Sequence, residues 1–283
     1  MEGKKQGDNK FSVLMSVYRN DKPNQVEQAI NSIYFDQTVK PEEIVLIVDG
    51  PVSEDLLKSI SQKEKEINVL KVFKQEENLG LGNTLNNGLA KCQNEIVARM
   101  DADDISMPDR FEKELAELVS KELDIVGSNI AEFCDDPNDI VACRVLPTDD
   151  DEIKKFMRQR CPFSHPSVMF KKSIVLKAGG YQHLHYCEDY YLWVRMALAG
   201  AKMGNIDQNL VKMRINQDTY MRRSGKDYFN SHKTLFKFMR KNKMISYFCY
   251  LKNICIRFIA EVVISNKMRQ KLYQKYLRKE KKD

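Results

Sequence analysis

Apolar residues follow two rhythms along the first half of this chain. Unbroken short runs at 11–17 (FSVLMSV), 43–48 (EIVLIV), 69–73 (VLKVF) and 95–100 (EIVARM) have the length and density of strands buried on both faces. Between them, apolar positions recur every three or four residues. Val26, Ala29, Ile30 and Ile33 make one such stripe, after a loop from Asn20 to Pro23 whose proline suits a first helical turn. Further helices are predicted over about 53–66, after the turn Asn78-Leu79-Gly80-Leu81-Gly82-Asn83, and from Pro108 onward. In the second of these, Leu85, Leu89 and Cys92 share a face. This alternation through roughly 120 residues predicts right-handed βαβ units on a parallel sheet.

From about 123 to 215 the rhythm is mixed. Strand-like LDIVGSNIAEF, IVACRVL and SVMF stand among helical patterns near 149–158, 172–178 and 189–199. We expect them to complete the same domain. The predicted organisation is a polar, frayed stretch at 1–10, an α/β domain over 11–225, and a basic amphipathic helical extension over 226–283. The sheet is expected to be mixed but mostly parallel, with helices on both faces.

The extension has a pattern of its own. Asn253, Arg257 and Glu261 recur every four residues while Ile254, Cys255, Ile256, Phe258, Ile259, Val262 and Val263 fill the remaining positions. Such a helix either lies in a bilayer interface or packs as a core hairpin on the body. Charge bears on the choice. From Met221 onward there are 18 Lys/Arg against 4 Asp/Glu, so the first 220 residues hold 28 against 36. An acidic body with a basic tail favours an anionic lipid surface over a merely solvated helix.

Composition narrows the classes. With 42% apolar and 30% charged residues the chain suits a globular enzyme. Seven scattered cysteines with no C-x-x-C pair argue against zinc and for reduced thiols, as in a cytoplasm. Residues 1–10, MEGKKQGDNK, lack the apolar core of a signal peptide, and no run of about 18 uncharged apolar residues suggests a span. Tyr247, Phe248, Tyr250 and Phe258 interleave with aliphatics, not as a base-stacking platform, so nucleic acid is not expected as a partner.

The chemistry concentrates in acids near strand ends, where ligands bind in open α/β sheets. Asp49 follows the second strand and Asp101 and Asp103 follow the fourth. Asp189 opens a later helix in Cys187-Glu188-Asp189-Tyr190. The run Asp101-Ala102-Asp103-Asp104 sets three carboxylates in four positions, which repel unless a cation joins them. Mg²⁺ or Mn²⁺ holding a diphosphate would resolve that conflict. A solvent-exposed turn with an Asp capping the next helix is the plainer alternative.

Taken in order, these pieces resemble family 2 glycosyltransferases of the GT-A fold, in the form found in bacterial polysaccharide synthesis. The pieces are Ser16-Val17-Tyr18 with Asn20, Gln37-Thr38 before Pro41, Ile47-Val48-Asp49-Gly50-Pro51, Asn78-Leu79-Gly80-Leu81-Gly82 and Ala98-Arg99-Met100-Asp101-Ala102-Asp103-Asp104. They continue with His165-Pro166-Ser167, Gly179-Gly180-Tyr181 and Glu188-Asp189-Tyr190-Tyr191-Leu192-Trp193. The resemblance covers about 11–225.

It implies an inverting, metal-dependent hexosyltransferase that uses a UDP-sugar and a saccharide acceptor, plausibly lipid-linked, at the cytoplasmic face of a membrane. Asp49 would accept from the uracil-type base beside Ser16 and Tyr18, with Asn78 nearby. Asp103 would be the principal metal ligand, and Asp101 would touch ribose or metal. Asp189 would be the base that deprotonates the acceptor, its alternative being a helix N-cap. Glu188 would set the Asp189 rotamer or pair with a cation. Asp104 either assists the metal or caps a helix. His165 either reaches the acceptor or is structural, and Arg222 and Arg223 either close over the diphosphate or are solvated. The Gln-x-x-Arg-Trp motif of processive members is absent, which implies single additions. Two rivals are weighed: a catalytically silent, membrane-peripheral binding protein on this fold, and a nucleotidyltransferase. The latter is disfavoured because Val17-Tyr18-Arg19-Asn20-Asp21 has no glycine to cradle a triphosphate.

Overall fold

The computed structural model describes residues 10–216, 224–264 and 268. Its first half follows the apolar rhythm. Strands β1 (Phe11–Val17), β2 (Glu43–Val48), β3 (Leu70–Lys74) and β4 (Ile96–Met100) alternate with helices α1 (Pro23–Tyr34), α2 (Glu54–Glu66) and α3 (Leu81–Lys91). All four strands are parallel, in the spatial order β3-β2-β1-β4. Successive residues of β1 serve opposite faces: Leu14 packs with Leu85 and Trp193, whereas Val13 and Met15 pack with Val26, Ile30 and Phe111. With helices on both sides, β1, β2 and β4 are buried on both faces and their runs are mostly apolar, while the edge strand β3 is only partly covered.

Beyond β4 the pairing becomes mixed. A two-residue strand, β5 (Ile105–Ser106), precedes α4 (Arg110–Ser120), whose N-cap is Asp109. Then come β6 (Ile125–Phe133), β7 (Ile140–Arg144), α5 (Asp150–Met157), β8 (Met169–Lys171), α6 (Lys172–Lys177), α7 (Glu188–Leu198) and β9 (Met203–Arg214). Strand β8 runs antiparallel between β4 and β6, and β9 runs parallel to β6 and antiparallel to β5. The reversal at β8 carries the 165–167 turn to the carboxyl end of β4.

The extension packs on the body. Helix α8 (Lys226–Lys241) inserts Leu235, Phe236 and Met239 into the cluster that holds Trp193. Helix α9 (Tyr247–Phe258), capped by Ser246 Oγ accepting from Cys249 N–H at 3.2 Å, packs in an unusual orientation. Of its residues only Asn253 is buried; its Nδ2 donates to the Arg158 carbonyl at 2.7 Å. Arg257 donates to the Gln159 carbonyl at 3.2 Å and pairs with Glu261 at 3.0 Å, and Glu261 lies 3.3 Å from His232. The polar stripe therefore faces the body, together with Cys249, Tyr250 and Ile254, which pack against its core, while Tyr247, Phe248, Leu251, Ile256 and Phe258 are exposed. Among the described residues no helix is long and apolar enough to cross a membrane.

Candidate active site

Strand register sets the site. Pairing of Val17 with Val48 and of Met15 with Met100 brings Ser16, Tyr18, Asp49 and Asp101 to one carboxyl edge. Asp49 is buried and organises the neighbouring loop. Its Oδ1 accepts from the Leu79 N–H at 2.8 Å and its Oδ2 from Asn78 Nδ2 at 3.0 Å. Asn78 also donates to the Asp49 carbonyl, so its amide serves this turn. Gly50 closes the approach: at φ +80° its missing Cβ would lie 2.6 Å from Asn78 N, where no side chain fits.

At the end of β4 the three carboxylates diverge. Asp101 is ion-paired with Arg99, whose side chain is 1% exposed. Asp104 turns inward, accepting from the Arg214 N–H at 2.8 Å, so it caps no helix. Burial, and then Asp103 and Asp101, push its carboxyl well above the usual range. The loop is held from both ends by guanidinium groups. Arg110, paired with the fully buried Glu114, donates to the Arg99 carbonyl at 2.8 Å. Arg214 Nε donates to the Asp103 carbonyl at 3.1 Å, while its Nη2 reaches Gln28 at 3.0 Å.

Asp21, which the sequence reading did not single out, faces the same acids. Burial lifts its carboxyl to about 7, a hydrogen bond from Tyr18 N–H opposes this, and Asp103 and Asp101 raise it further. This mutual repulsion is the condition a divalent cation relieves. Among the described residues no three His, Cys, Asp or Glu side chains group tightly enough to enclose a metal by themselves. Mg²⁺ and Mn²⁺ sites commonly take one or two carboxylates and complete the shell with substrate phosphate and water. Asp101 and Asp103 fit that division.

On the far side of Arg99 stands a second group. His165, in the turn His165–Ser167, shares a 3.0 Å hydrogen bond between Nε2 and Tyr181 Oη. Burial, then the Arg99 charge, lower its imidazole to about 4, against the opposing pull of Asp101 and Asp189. The ring is neutral at pH 7. Burial likewise raises the Tyr181 phenol, with Arg99 opposing and Asp189 and Asp101 adding to the rise. Asp101, just past β4, and Asp189 on α7 are thus both near enough to this buried pair to influence it electrostatically. Asn86 of α3 fastens the loop beneath it, bonding both the Tyr181 N–H and carbonyl at 2.8 and 2.7 Å.

Asp189 is no N-cap; that position belongs to Cys187, and the Asp189 Oδ1 accepts from the Tyr190 N–H at 2.7 Å. Among the described residues, its Oδ2 meets the weak donor Cys161 Sγ, at 3.8 Å. Glu188 is raised by burial and by Asp189, and lies against Gly82 at the start of α3. The rim therefore runs Asp49, α3, Glu188 and Asp189, His165, Arg99, Asp101 and Asp103, Asp21. Arg222 and Arg223 lie outside the described residues. Two concavities, of about 570 Å³ along α1 and about 630 Å³ beside β3, contain none of these acids. Besides Asp21, sequence reasoning passed over Arg99, Tyr181 and Arg214. An arginine inside an otherwise apolar strand was a signal for the first.

The family model described as glycosyl transferase family 2 matches residues 12–180. An uncharacterized glycosyltransferase of Haemophilus influenzae is 40% identical, over 95% of this chain and all of that protein. The amylovoran biosynthesis glycosyltransferase AmsE of Erwinia amylovora is 37% identical over 94% of this chain and 98% of its own length. The UDP-Gal:alpha-D-GlcNAc-diphosphoundecaprenol beta-1,3-galactosyltransferase of Escherichia coli is 37% identical over 95% and 97%. Among solved structures, S. aureus TarS superimposes with a TM-score of 0.65 at 16% identity, over 94% of this chain and 48% of that one. The Pyrobaculum calidifontis mannosyltransferase PcManGT, in complex with GDP-Man and Mn2+, gives 0.61 at 14% identity over 93% and 78%. At these identities the structural likeness speaks for the GT-A fold.

Proposed function

The chain belongs to glycosyl transferase family 2, and from that premise we propose that it moves a hexose from a UDP-sugar to a hydroxyl of a lipid-linked saccharide, inverting the anomeric centre. The reading rests above all on geometry: Asp49 and Asp101 leave parallel strands on either side of β1 at one edge, and the helix of Asp189 meets that edge where Glu188 lies against Gly82 at the start of α3. A donor side and a base side therefore share one rim. The printed name of the E. coli relative supports a UDP-hexose and a diphosphate-linked lipid acceptor, and that of the Erwinia relative supports polysaccharide synthesis.

Asp49, Ser16 and Tyr18 receive the nucleoside, with Asn78 holding Asp49 in place. Asp103 and Asp101 would hold Mn²⁺ or Mg²⁺, which would supply positive charge against the nucleoside diphosphate leaving group. Arg222 and Arg223 close over the same phosphates. Asp189 takes the acceptor proton at Oδ2, because Oδ1 is already engaged by the Tyr190 N–H. One positioned base, with no second nucleophile evident among the described residues, makes direct displacement and hence inversion the simplest course, and the absent Gln-x-x-Arg-Trp motif supports a single addition per encounter. His165 and Tyr181, neutral and hydrogen-bonded, form the wall between donor and acceptor. The enzyme works at the cytoplasmic face of the plasma membrane, attached peripherally by its C-terminal helices.

A panel of nucleotide-sugars, screened for Mn²⁺-dependent thermal stabilisation and then for transfer, tests this. One UDP-hexose should stabilise and be transferred, with product coupling constants of a β-linkage. Asp189→Asn should keep donor binding and reduce transfer by on the order of 10²–10⁴-fold. No stabilising nucleotide-sugar, or full transfer by Asp189→Asn, would refute the assignment.

A further inference from the structure

Helix α9 inverts the usual arrangement of a surface helix. Its polar residues, Asn253 and Arg257, are spent on the carbonyls of Arg158 and Gln159 and on Glu261. Its outward half carries Tyr247, Phe248, Leu251, Ile256 and Phe258, exposed by 54, 82, 39, 51 and 46%. The turn after it adds Ile259 and Val263, at 51 and 63%. A contiguous apolar surface of this kind is rare on a soluble monomer and marks an interaction site.

We propose that this face is the surface by which the protein lies on an anionic lipid bilayer, with the aromatic and aliphatic side chains in the interface and the flanking cations at headgroup level. Charge decides for lipid among the possible occupants. Exposed Lys233, Lys237, Arg240, Lys241 and Lys243 lie along α8 and the hairpin, and Lys252 stands on the face itself. Residues 265–283 add eight Lys/Arg against two acids. A second copy would bring equal basic rims together, and folding the basic tail over the face would do the same; both repel. Anionic headgroups attract all of these groups. The inference rests on the proposed lipid-linked acceptor and makes it more specific. The inner side of α9 grips residues 158 and 159, and the same segment leads to Cys161, whose thiol meets Asp189. The lipid-facing surface and the acceptor base are thereby joined by one short stretch of chain, which sets the depth at which the base meets a membrane-borne hydroxyl.

The full chain is tested by co-sedimentation with phosphatidylcholine vesicles, with and without phosphatidylglycerol. Binding should require phosphatidylglycerol and weaken with salt. Phe248→Ser combined with Leu251→Ser should reduce partitioning at least tenfold while leaving Tm, the monomer–dimer state and UDP-sugar stabilisation unchanged. Lys243→Glu with Lys252→Glu should weaken binding with the apolar face intact. Equal binding by the double-serine variant, no vesicle binding by wild type, or a wild-type dimer that this variant dissolves would each overturn the proposal. Because donor stabilisation is read without vesicles, loss of the membrane surface and failure of the transferase reading are separately visible.

Discussion

The rim at the carboxyl ends of β1, β2 and β4 and the surface of α9 solve opposite problems. At the rim, charged groups are gathered at the edge of a core whose strands are mostly apolar. Their repulsion is held in check by arginines, with the buried Arg99 on Asp101 and the buried Arg110 and half-buried Arg214 on the flanking carbonyls. At α9 Asn253 and Arg257 turn in, because the carbonyls at the end of α5 need donors, and Tyr247, Phe248, Leu251, Ile256 and Phe258 are left outside. Both regions depart from the rule that apolar means inside and polar means out. In each, the departure is what motivates the proposed partner, a cation and donor at the rim and a lipid surface at α9.

The largest test of that contrast compares two phenylalanines of the extension. Phe236→Ala on α8 removes a fully buried ring from the Trp193 cluster and should destabilise by about 3–5 kcal/mol in denaturant titration. Phe248→Ala on α9, 82% exposed, should change stability by no more than about 0.5 kcal/mol. Comparable losses at the two positions would mean that the apolar face of α9 is covered in solution.

An intermediate effect is expected at the rim. Gly50→Ala introduces a Cβ against the Asn78 backbone at a positive φ and should cost about 1–3 kcal/mol. It should also raise the nucleotide-sugar dissociation constant, because Asp49 and the 78–79 loop are shaped together. Calorimetry with and without donor separates the two. A stability loss with donor affinity intact would detach that loop from the nucleotide pocket.

The smallest effect is a slope. His165 is held neutral down to about 4, so the native state binds fewer protons than the unfolded chain between there and the ordinary imidazole value of 6.5. Its contribution thus makes stability rise with pH across that window and is flat above it. His165→Gln removes the contribution. As pH falls from 6.5 to 4, the Tm difference should shift in favour of the variant; a difference independent of pH would place the ring in water. Metal-free Asp21 acts in the reverse sense. With its carboxyl lifted to about 7, it stabilises at low pH and loses that contribution as pH rises from the ordinary carboxylate value towards 7, so it is best kept constant in the comparison.

How legible all this was depended on whether a pattern was local. Strands β1 to β4 stand out because burial on both faces demands uninterrupted apolar runs. The acids after β2 and β4 could be placed at one edge because parallel strands end together. Strand β9 escaped notice: Asp207, Gln208 and Asn209 are exposed at its middle, and the register with β6 shifts twice, so no period of two survives. Two-residue β5 carries no pattern at all. Asp21 and Tyr181 look like ordinary loop residues until β8 reverses and brings the His165 turn to β4.

The sequence by itself determined the alternating architecture, the ordered motifs of the family and the clustering of carboxylates, since each depends on neighbours within one or two turns or one strand. Tertiary structure alone decided which acids oppose which arginines, that Asp104 faces inward, and which way the stripe of Asn253, Arg257 and Glu261 points. A helix has the same hydrophobic periodicity whichever side it presents. Its orientation follows from where unsatisfied donors and acceptors wait on the body, and here two carbonyls at the end of α5 and a buried histidine drew the polar side in.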